Sequence, residues 1–488
     1  MNKTLSLFAA AAAFVGCTQY LPSVGPDYDA PEFSDVAEPL PDAGQPPEMA
    51  TDERIVITSD TMQQWWTQFD DPVLTQLLES SVANNLTYKA AQKRLEEAEW
   101  VLRGTYSEFL PKVGADGSWT RTTNRKRNAA LSGTGVDKRT SKVAQLGLGM
   151  DWEIDIFGGS RRATEAALAL AEGAEWDLAN AWLQLTTQIG VQYINLRTCQ
   201  ERIQVAEANL KLQSETYDIL KSRLDSGIGD ELAVNQCAYV VEQTRARIPR
   251  LLAQEESIKN ALAILAGEMP GVLHETLKPV AERRDWLLAP QKLESLPLDM
   301  IRARPDVKSA ERRLAAQCAR IGVAKAAWYP KLFITGSVGY QSTTPSKLIS
   351  HGALMSSFGP SATWSIFSAG AIYATVKAEE ARTEQAALDY ELAIEQAYAE
   401  VRNAYSAYSQ EYHRYRALNV AVKAAQDAVT IAQDLYKNGL RDFNNVLDAQ
   451  RSSLSLEEEL VVSRGEITLG LIDLYKSLGG GLASESEK

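Results

Sequence analysis

Side chains able to do acid–base, metal or nucleophilic chemistry are few in this sequence, and they are not gathered. His274, His351 and His413 are its only histidines and lie far apart. The four cysteines, Cys17, Cys199, Cys237 and Cys318, show no C-x-x-C spacing, so zinc and dithiol redox sites have no support. No phosphate-cradling loop, G-x-S-x-G elbow or dinucleotide fingerprint is present. Neither an enzyme nor a bound metal or cofactor is expected. The formal net charge of −13 also argues against nucleic acid, which needs a basic patch.

Cys17 is a different case. Lys3 and the apolar run Leu5 to Val15 form an export signal too short to span a bilayer, and the run ends in "FVGC". A small residue directly before a cysteine resembles the lipobox. Cys17 would then be acylated as the first mature residue, although Phe14 stands where leucine is usual. Thr18, in place of aspartate, suggests sorting to the outer membrane. Three cysteines would remain, an odd number that cannot all pair within one chain. No later stretch holds 18 or more apolar residues. A membrane-spanning mature chain must therefore be a closed barrel, since only helices and barrels satisfy their backbone groups in lipid.

The elements that must carry any function show two periods. "KVAQLGLGMDWEIDIF" (142–157) puts Ala144, Leu146, Leu148, Met150, Trp152 and Ile154 on one parity, against Gln145, Gly147, Gly149, Asp151 and Glu153 on the other. That is a strand between two different solvents. Lys112 to Thr120 alternates likewise, with a polar, basic loop expected over 121–141. From Ser160 to Arg223 no proline occurs, and a helix of that length would run roughly 96 Å. "DSGIGDE" (225–231) reads as a reversal with Gly227 as the helix stop. A return helix follows to about Gly267, interrupted at Pro249.

The plan then repeats. "RRLAAQCARIGVAKAAWYPKLFITGSVGY" (312–340) parallels "KRLEEAEWVLRGTYSEFLPKVGADGSWTR" (93–121) at an offset of 219, as Pro111 and Lys112 against Pro330 and Lys331 show. Strands are expected over 331–341 and 360–366, with Pro360, Ala362, Trp364 and Ile366 on one face. Ala371 to Tyr436 forms the second long helix, "YKNGLRD" the second reversal with Gly439, and a last helix ends at "SLGGG". The division expected is a signal (1–16), a lipidated extended segment (17–60), a first repeat (61–267), an irregular linker (268–297), a second repeat (298–480) and a polar tail (481–488). Four two-faced strands cannot close a barrel, for which about eight is the practical minimum, so copies of the chain must share one. The fold class is mainly α with a transmembrane β-barrel.

"VGPDYDAP", "WWTQFDDPVL", "ANNLTYKAAQKRLEEA", "WEIDIFGGSRRATEAA", "RARPDVKSAERRL", "GLRDFNNVLDAQ" and "LYKSLGGG" together resemble the outer-membrane efflux protein family. They are closest to its lipoprotein branch, which serves resistance-nodulation-division pumps. The resemblance implies a homotrimer with a twelve-stranded β-barrel in outer-membrane lipid and an α-helical periplasmic tunnel. It also implies docking to a periplasmic adaptor (membrane fusion protein) and an inner-membrane transporter. The function expected is a passive exit duct for small molecules, lipid-anchored in the outer membrane. A type I protein-secretion channel is the near alternative, and the lipobox, "RPDV" and "LGGG" favour the pump branch. A soluble periplasmic scaffold would lack the strands. Tyr436, Arg441 and Asp448 match the family's closed entrance. Repeated by symmetry, Asp448 would form one acidic ring favouring cations, flanked by Asn444 and Asn445. Arg441 and Tyr436 could tie neighbouring helix pairs, with Asp230 or Glu231 as partner to the arginine.

Overall fold

A computed structural model describes residues 23–31, 64–127, 136–280 and 298–481. Cys17 and the signal lie outside these residues. Helix α1 (Pro72–Asn84) starts where Asp71 accepts from the amides of Val73 and Leu74, with proline at its first position. The sequence suggests one helix from about Pro72 to Gly104, but Asn85 divides it in two. Its side chain accepts from the Tyr88 amide and opens α2 (Leu86–Tyr106).

Strands β1 (Lys112–Arg127) and β2 (Val136–Ile154) follow, then α3 (Gly159–Asp225) and α4 (Glu231–Leu265). A short helical turn, Leu298–Arg302, leads to α5 (Pro305–Ala326), β3 (Lys331–Ser342) and β4 (Leu354–Thr363). The chain ends in α6 (Ala371–Lys437) and α7 (Phe443–Ser477). Helices α3 and α6 each have 67 residues, and α4 and α7 each have 35. The tandem plan thus extends to element length.

Three further sequence expectations need correction. The first hairpin is longer than expected: both strands run well into 121–141, because the backbone ladder continues past the apolar band. Pro249 does not interrupt α4, which runs through it. The proline is exposed, so water can satisfy the carbonyl it frees. The fourth strand starts six residues earlier than expected and stops at Thr363, leaving Trp364 and Ile366 beyond it.

The described residues fall into two compact units. One comprises those within Met1–Pro31, Leu95–Ala174 and Ala310–Tyr390, and the other those within Glu32–Arg94, Glu175–Ser309 and Glu391–Lys488. Each repeat contributes to both. The first unit carries one antiparallel sheet in the order β1-β2-β3-β4. There Arg162 ties "VGPDYDAP" down: its guanidinium donates to the Val24 and Gly25 carbonyls and to Asp27 at 2.5 Å. The second unit holds the main core. Trp65, Leu74, Ile189, Tyr193, Leu471 and Tyr475 are among its fully buried members. A side chain at Gly190 would meet the Trp65 ring at 2.3 Å, which is why glycine stands there. Among the described residues, no helix is long and apolar enough to cross a membrane.

Candidate functional site

The sheet is the first candidate. Directly paired strand residues point to one face, so register decides what each face is made of. Val113, Ala115, Gly117 and Trp119 oppose Met150, Leu148, Leu146 and Ala144. Leu146, Leu148, Trp152 and Ile154 oppose Tyr340, Val338, Ile334 and Leu332. Ile334 and Leu332 in turn oppose Pro360 and Ala362. One apolar face therefore crosses all four strands, and it is bare: Val113 is 68% exposed, Leu148 51%, Val338 49% and Phe358 72%. Such a face in water would be costly, at about 25 cal/mol per Å² of apolar surface.

The other face carries Gly114, Asp116, Ser118, Gln145, Gly149, Ser337, Ser357 and Ser361. Val143, Phe333 and Met355 are its exceptions. At one end of it Lys331 pairs with Glu153 at 3.0 Å and Lys112 with Glu108 at 2.7 Å. Two indoles sit at that end in equivalent places. Trp152 donates to the Phe109 carbonyl at 2.9 Å, and Trp364 to the Trp328 carbonyl at 3.0 Å.

The two helix reversals are the second candidate. Gly227 (φ +77°) and Gly439 (φ +73°) take the left-handed conformation that stops a helix, and each is backed by the same six-residue bond. These run from the Ile228 amide to the Arg223 carbonyl and from the Leu440 amide to the Leu435 carbonyl. Beyond the turns the chemistry differs. Asp230 accepts from the Leu232 amide, whereas Asp442 makes no side-chain cap.

A buried cluster of Leu220, Val234, Cys237, Val240, Phe443 and Val446 joins the two hairpins. Burial pushes the Cys237 thiol up to about 11, so it stays protonated and inert at neutral pH. Tyr436 lies half-buried on this cluster, edge-on to Phe443 and beneath the Arg223 guanidinium at 5.6 Å.

The remaining tip residues are exposed. Among the described residues Arg441 has no ion pair within the chain, to Asp230, Glu231 or any other carboxylate. Asn444 is open, and the Asn445 amide donates to the Asp442 carbonyl at 3.2 Å. Asp448, 77% exposed, has a neighbour that sequence reasoning missed. Arg451, one turn on, stands 3.7 Å away with its guanidinium over the Tyr239 ring at 5.0 Å. The i, i+3 spacing of the two charges was readable. The tyrosine on another helix was not.

Several motif residues of the second unit hold the fold instead. Arg304 is buried and donates to Asp306, Glu400 and the Ser477 carbonyl, each at 2.7 Å. Asp71 accepts from the Tyr193 hydroxyl at 2.5 Å, and Arg197 donates to that hydroxyl, to Gln200 and to the Lys278 carbonyl. No metal-binding cluster occurs among the described residues.

These features recur in known proteins. The chain is 31% identical to the antibiotic efflux pump outer membrane protein ArpC of Pseudomonas putida, over 99% of this chain and 96% of that one. It is 28% identical to the outer membrane protein OprJ of Pseudomonas aeruginosa, over 97% and 96%. The solved outer-membrane channel OprN superposes with a TM-score of 0.80 at 32% identity, covering 94% of this chain and 99% of that one. The sequence profile of outer membrane efflux proteins matches residues 77–268 and 296–480. The chain therefore belongs to the outer membrane efflux protein family.

Proposed function

We propose that this chain is the outer-membrane exit duct of a tripartite efflux pump and conducts small molecules passively. One observation carries the reading: a four-stranded sheet with a bare apolar face, a polar opposite face and two open edges. Four strands cannot close, but three copies supply twelve, which leaves room for a water-filled lumen. The apolar face then meets lipid and the glycine- and serine-rich face meets water. A homotrimer docked to a periplasmic adaptor and an inner-membrane resistance-nodulation-division transporter fits the family. Relatives named as antibiotic and toluene efflux components point to small organic cargo. Work is done by the transporter, and the duct supplies only a path.

The second reversal is the proposed gate. Within one chain the Arg441 guanidinium and the Tyr436 hydroxyl find no hydrogen-bond partner among the described residues. Both are thus free to tie one helix pair to the next copy. Asp448, flanked by Asn444 and Asn445, supplies the acidic ring. Acylation at Cys17 would anchor the mature chain, adding to the barrel's own hold on lipid.

Reconstitution in planar bilayers tests the reading. Ion-conducting events from purified trimers are expected, with conductance rising in an Arg441→Glu, Tyr436→Phe double variant. A membrane-inserted protein that conducts no ions in either form would overturn it. Mass spectrometry of the mature N-terminus should show a lipid-sized addition at Cys17, and an unmodified terminus elsewhere would remove the anchor.

A further inference from the structure

Helix α7 is tied to its neighbours unevenly along its length. From Glu457 to Arg464 its side chains reach α3, α4 and α6. Glu457 accepts from Asn209 of α3 at 3.1 Å and from Gln426 of α6 at 2.8 Å. Arg247 of α4 donates to Glu458 at 3.3 Å. Ser463 donates to Glu411 of α6 at 2.6 Å, and Arg464 pairs with Glu201 of α3. Toward the tip from Glu457, among the described residues, no hydrogen bond or ion pair joins a side chain of α7 to another helix. Its polar contacts there stay local, as in Ser453 with Glu457 and Asp448 with Arg451. Apolar and ring contacts alone hold it to its neighbours.

A layer of buried amides separates the two stretches. Gln213 of α3 is 2% exposed and Gln450 of α7 is 4% exposed. The Gln213 side-chain oxygen and both polar atoms of Gln450 have no hydrogen-bond partner among the described residues. From the Asn209–Glu457 contact, Gln213 lies four residues toward the tip on α3 and Gln450 seven on α7. Their levels thus differ by about 4.5 Å, less than one helical turn.

Packing does not demand glutamine at either place. The two helix hairpins repeat at an offset of 212, as Gly227 and Gly439 show, and the equivalents of Gln213 and Gln450 are Ala425 and Ala238. Both alanines are partly buried. An amide without a partner destabilises only the packed state, because water meets it once the helices part. The layer therefore favours separation where an apolar side chain would oppose it.

We infer that the Gln213–Gln450 layer is where the tip yields: on its tip side the hairpins part as the duct opens, and from Glu457 onward they stay joined. This rests on the gate reading above. Tyr436, Arg441 and Asp448 all lie on the tip side of the layer. Ties between copies at Tyr436 and Arg441 then hold shut a tip whose own core is disposed to open. A partner that releases those ties shifts the balance between two packings without having to break the core.

Two readouts on the membrane-inserted full chain test this. Gln450→Met keeps the length of the side chain and removes its polar atoms. Hydrogen exchange at residues 443–450 should then slow about tenfold, while residues 458–465 exchange as before. Added to the Arg441→Glu, Tyr436→Phe double variant in planar bilayers, Gln450→Met should make openings about tenfold rarer. Gln450→Leu is the second apolar variant, should methionine pack poorly, and must move both readouts the same way. Exchange unchanged, or slowed equally in both stretches, would overturn the inference. So would slower exchange with openings as frequent as in the double variant, because the amides would then be structural only. If the double variant itself conducts no more than the wild type, the gate reading falls and the exchange result alone decides the layer.

Discussion

Two arginines of the second unit show how differently one residue type is used. Arg304, in the "RPDV" corner, is 6% exposed and its guanidinium reaches two carboxylates and a helix-end carbonyl. Arg441, in the "GLRD" tip, is exposed and pairs with nothing in its own chain among the described residues. The first has spent its bonding capacity on the fold. The second still has all of it available for something outside the chain. Several motifs that carry the family resemblance, such as Asp71, Arg162 and Arg304, are of the first kind. Function is better sought among polar groups that the chain leaves open.

Arg304→Ala should give the largest effect. It leaves the Ser477 carbonyl without a donor beside a buried cavity, at a cost of roughly 3–5 kcal/mol. Most of this comes from the cavity, because water can reach the half-exposed Glu400 and Asp306 carboxylates. Loss of properly assembled protein from outer-membrane fractions is the readout. A normal yield with unchanged denaturation would mean that this corner is dispensable and that the contrast with Arg441 is false.

The sheet offers the next test, because its faces differ by partner rather than by bonding. Leu148→Arg puts a charge on the lipid face and should cost about 2–4 kcal/mol, impairing insertion. Its neighbour across the strand must be chosen with care. Gly147 faces Gly339, and a side chain there would come within 3.2 Å of the Val338 carbonyl, whereas Gly149 has open space. Gly149→Arg should therefore insert normally and change only conductance. Equal insertion of both variants would reverse the face assignment.

Much of this was legible in sequence, for physical reasons. A period of two over Ala144 to Ile154 can mean little other than a two-sided strand, and the repeat at Pro111 and Pro330 doubled that evidence. Proline- and glycine-poor stretches of more than sixty residues left no other choice for α3 and α6. The misses follow from what pattern omits. "LMSSFG" (354–359) mixes apolar and small residues on both parities, so the start of β4 was hidden. The helix break at Asn85 depends on one side chain capping α2, a local contest that periodicity averages away. At the tip, the reversals were plain from their glycines. The pairing of Arg451 with Asp448 over Tyr239 needed the α4–α7 packing.

That pairing alters what the proposed acidic ring should do. Asp448 and Arg451 are both solvent-exposed, so neither contributes much to stability, and each single substitution should stay within about 0.5 kcal/mol. Their effect on ions should be opposite in sign. Asp448→Ala lowers cation preference, measured as a reversal potential across a salt gradient, and Arg451→Ala raises it severalfold by unmasking the carboxylate. Identical potentials in both variants would place the selectivity elsewhere in the duct.

The smallest expected effect sets a third class of charge beside the two arginines, one that forms and dissolves with pH. His274 Nε2 lies 2.7 Å from a Glu256 carboxylate oxygen, and its Nδ1 lies 2.8 Å from the Gly271 carbonyl. Both partners only accept, so both bonds need the protonated ring. The Glu256 bond, then the Gly271 carbonyl, hold His274 above the ordinary histidine range, while the His274 bond holds Glu256 below the usual carboxylate range. A raised histidine gives stabilisation that is complete below its unfolded value and lost as pH rises through its folded one. The lowered carboxylate sets the acid limit, where the clasp is lost as pH falls through the folded Glu256 value. Hydrogen exchange of residues 266–280, corrected for intrinsic rates, should therefore be slower at about pH 5.5 than at about pH 8. His274→Gln should abolish that difference without touching conductance. An equal pH dependence in the variant would assign it to another group, and a change in conductance would join this clasp to the gate.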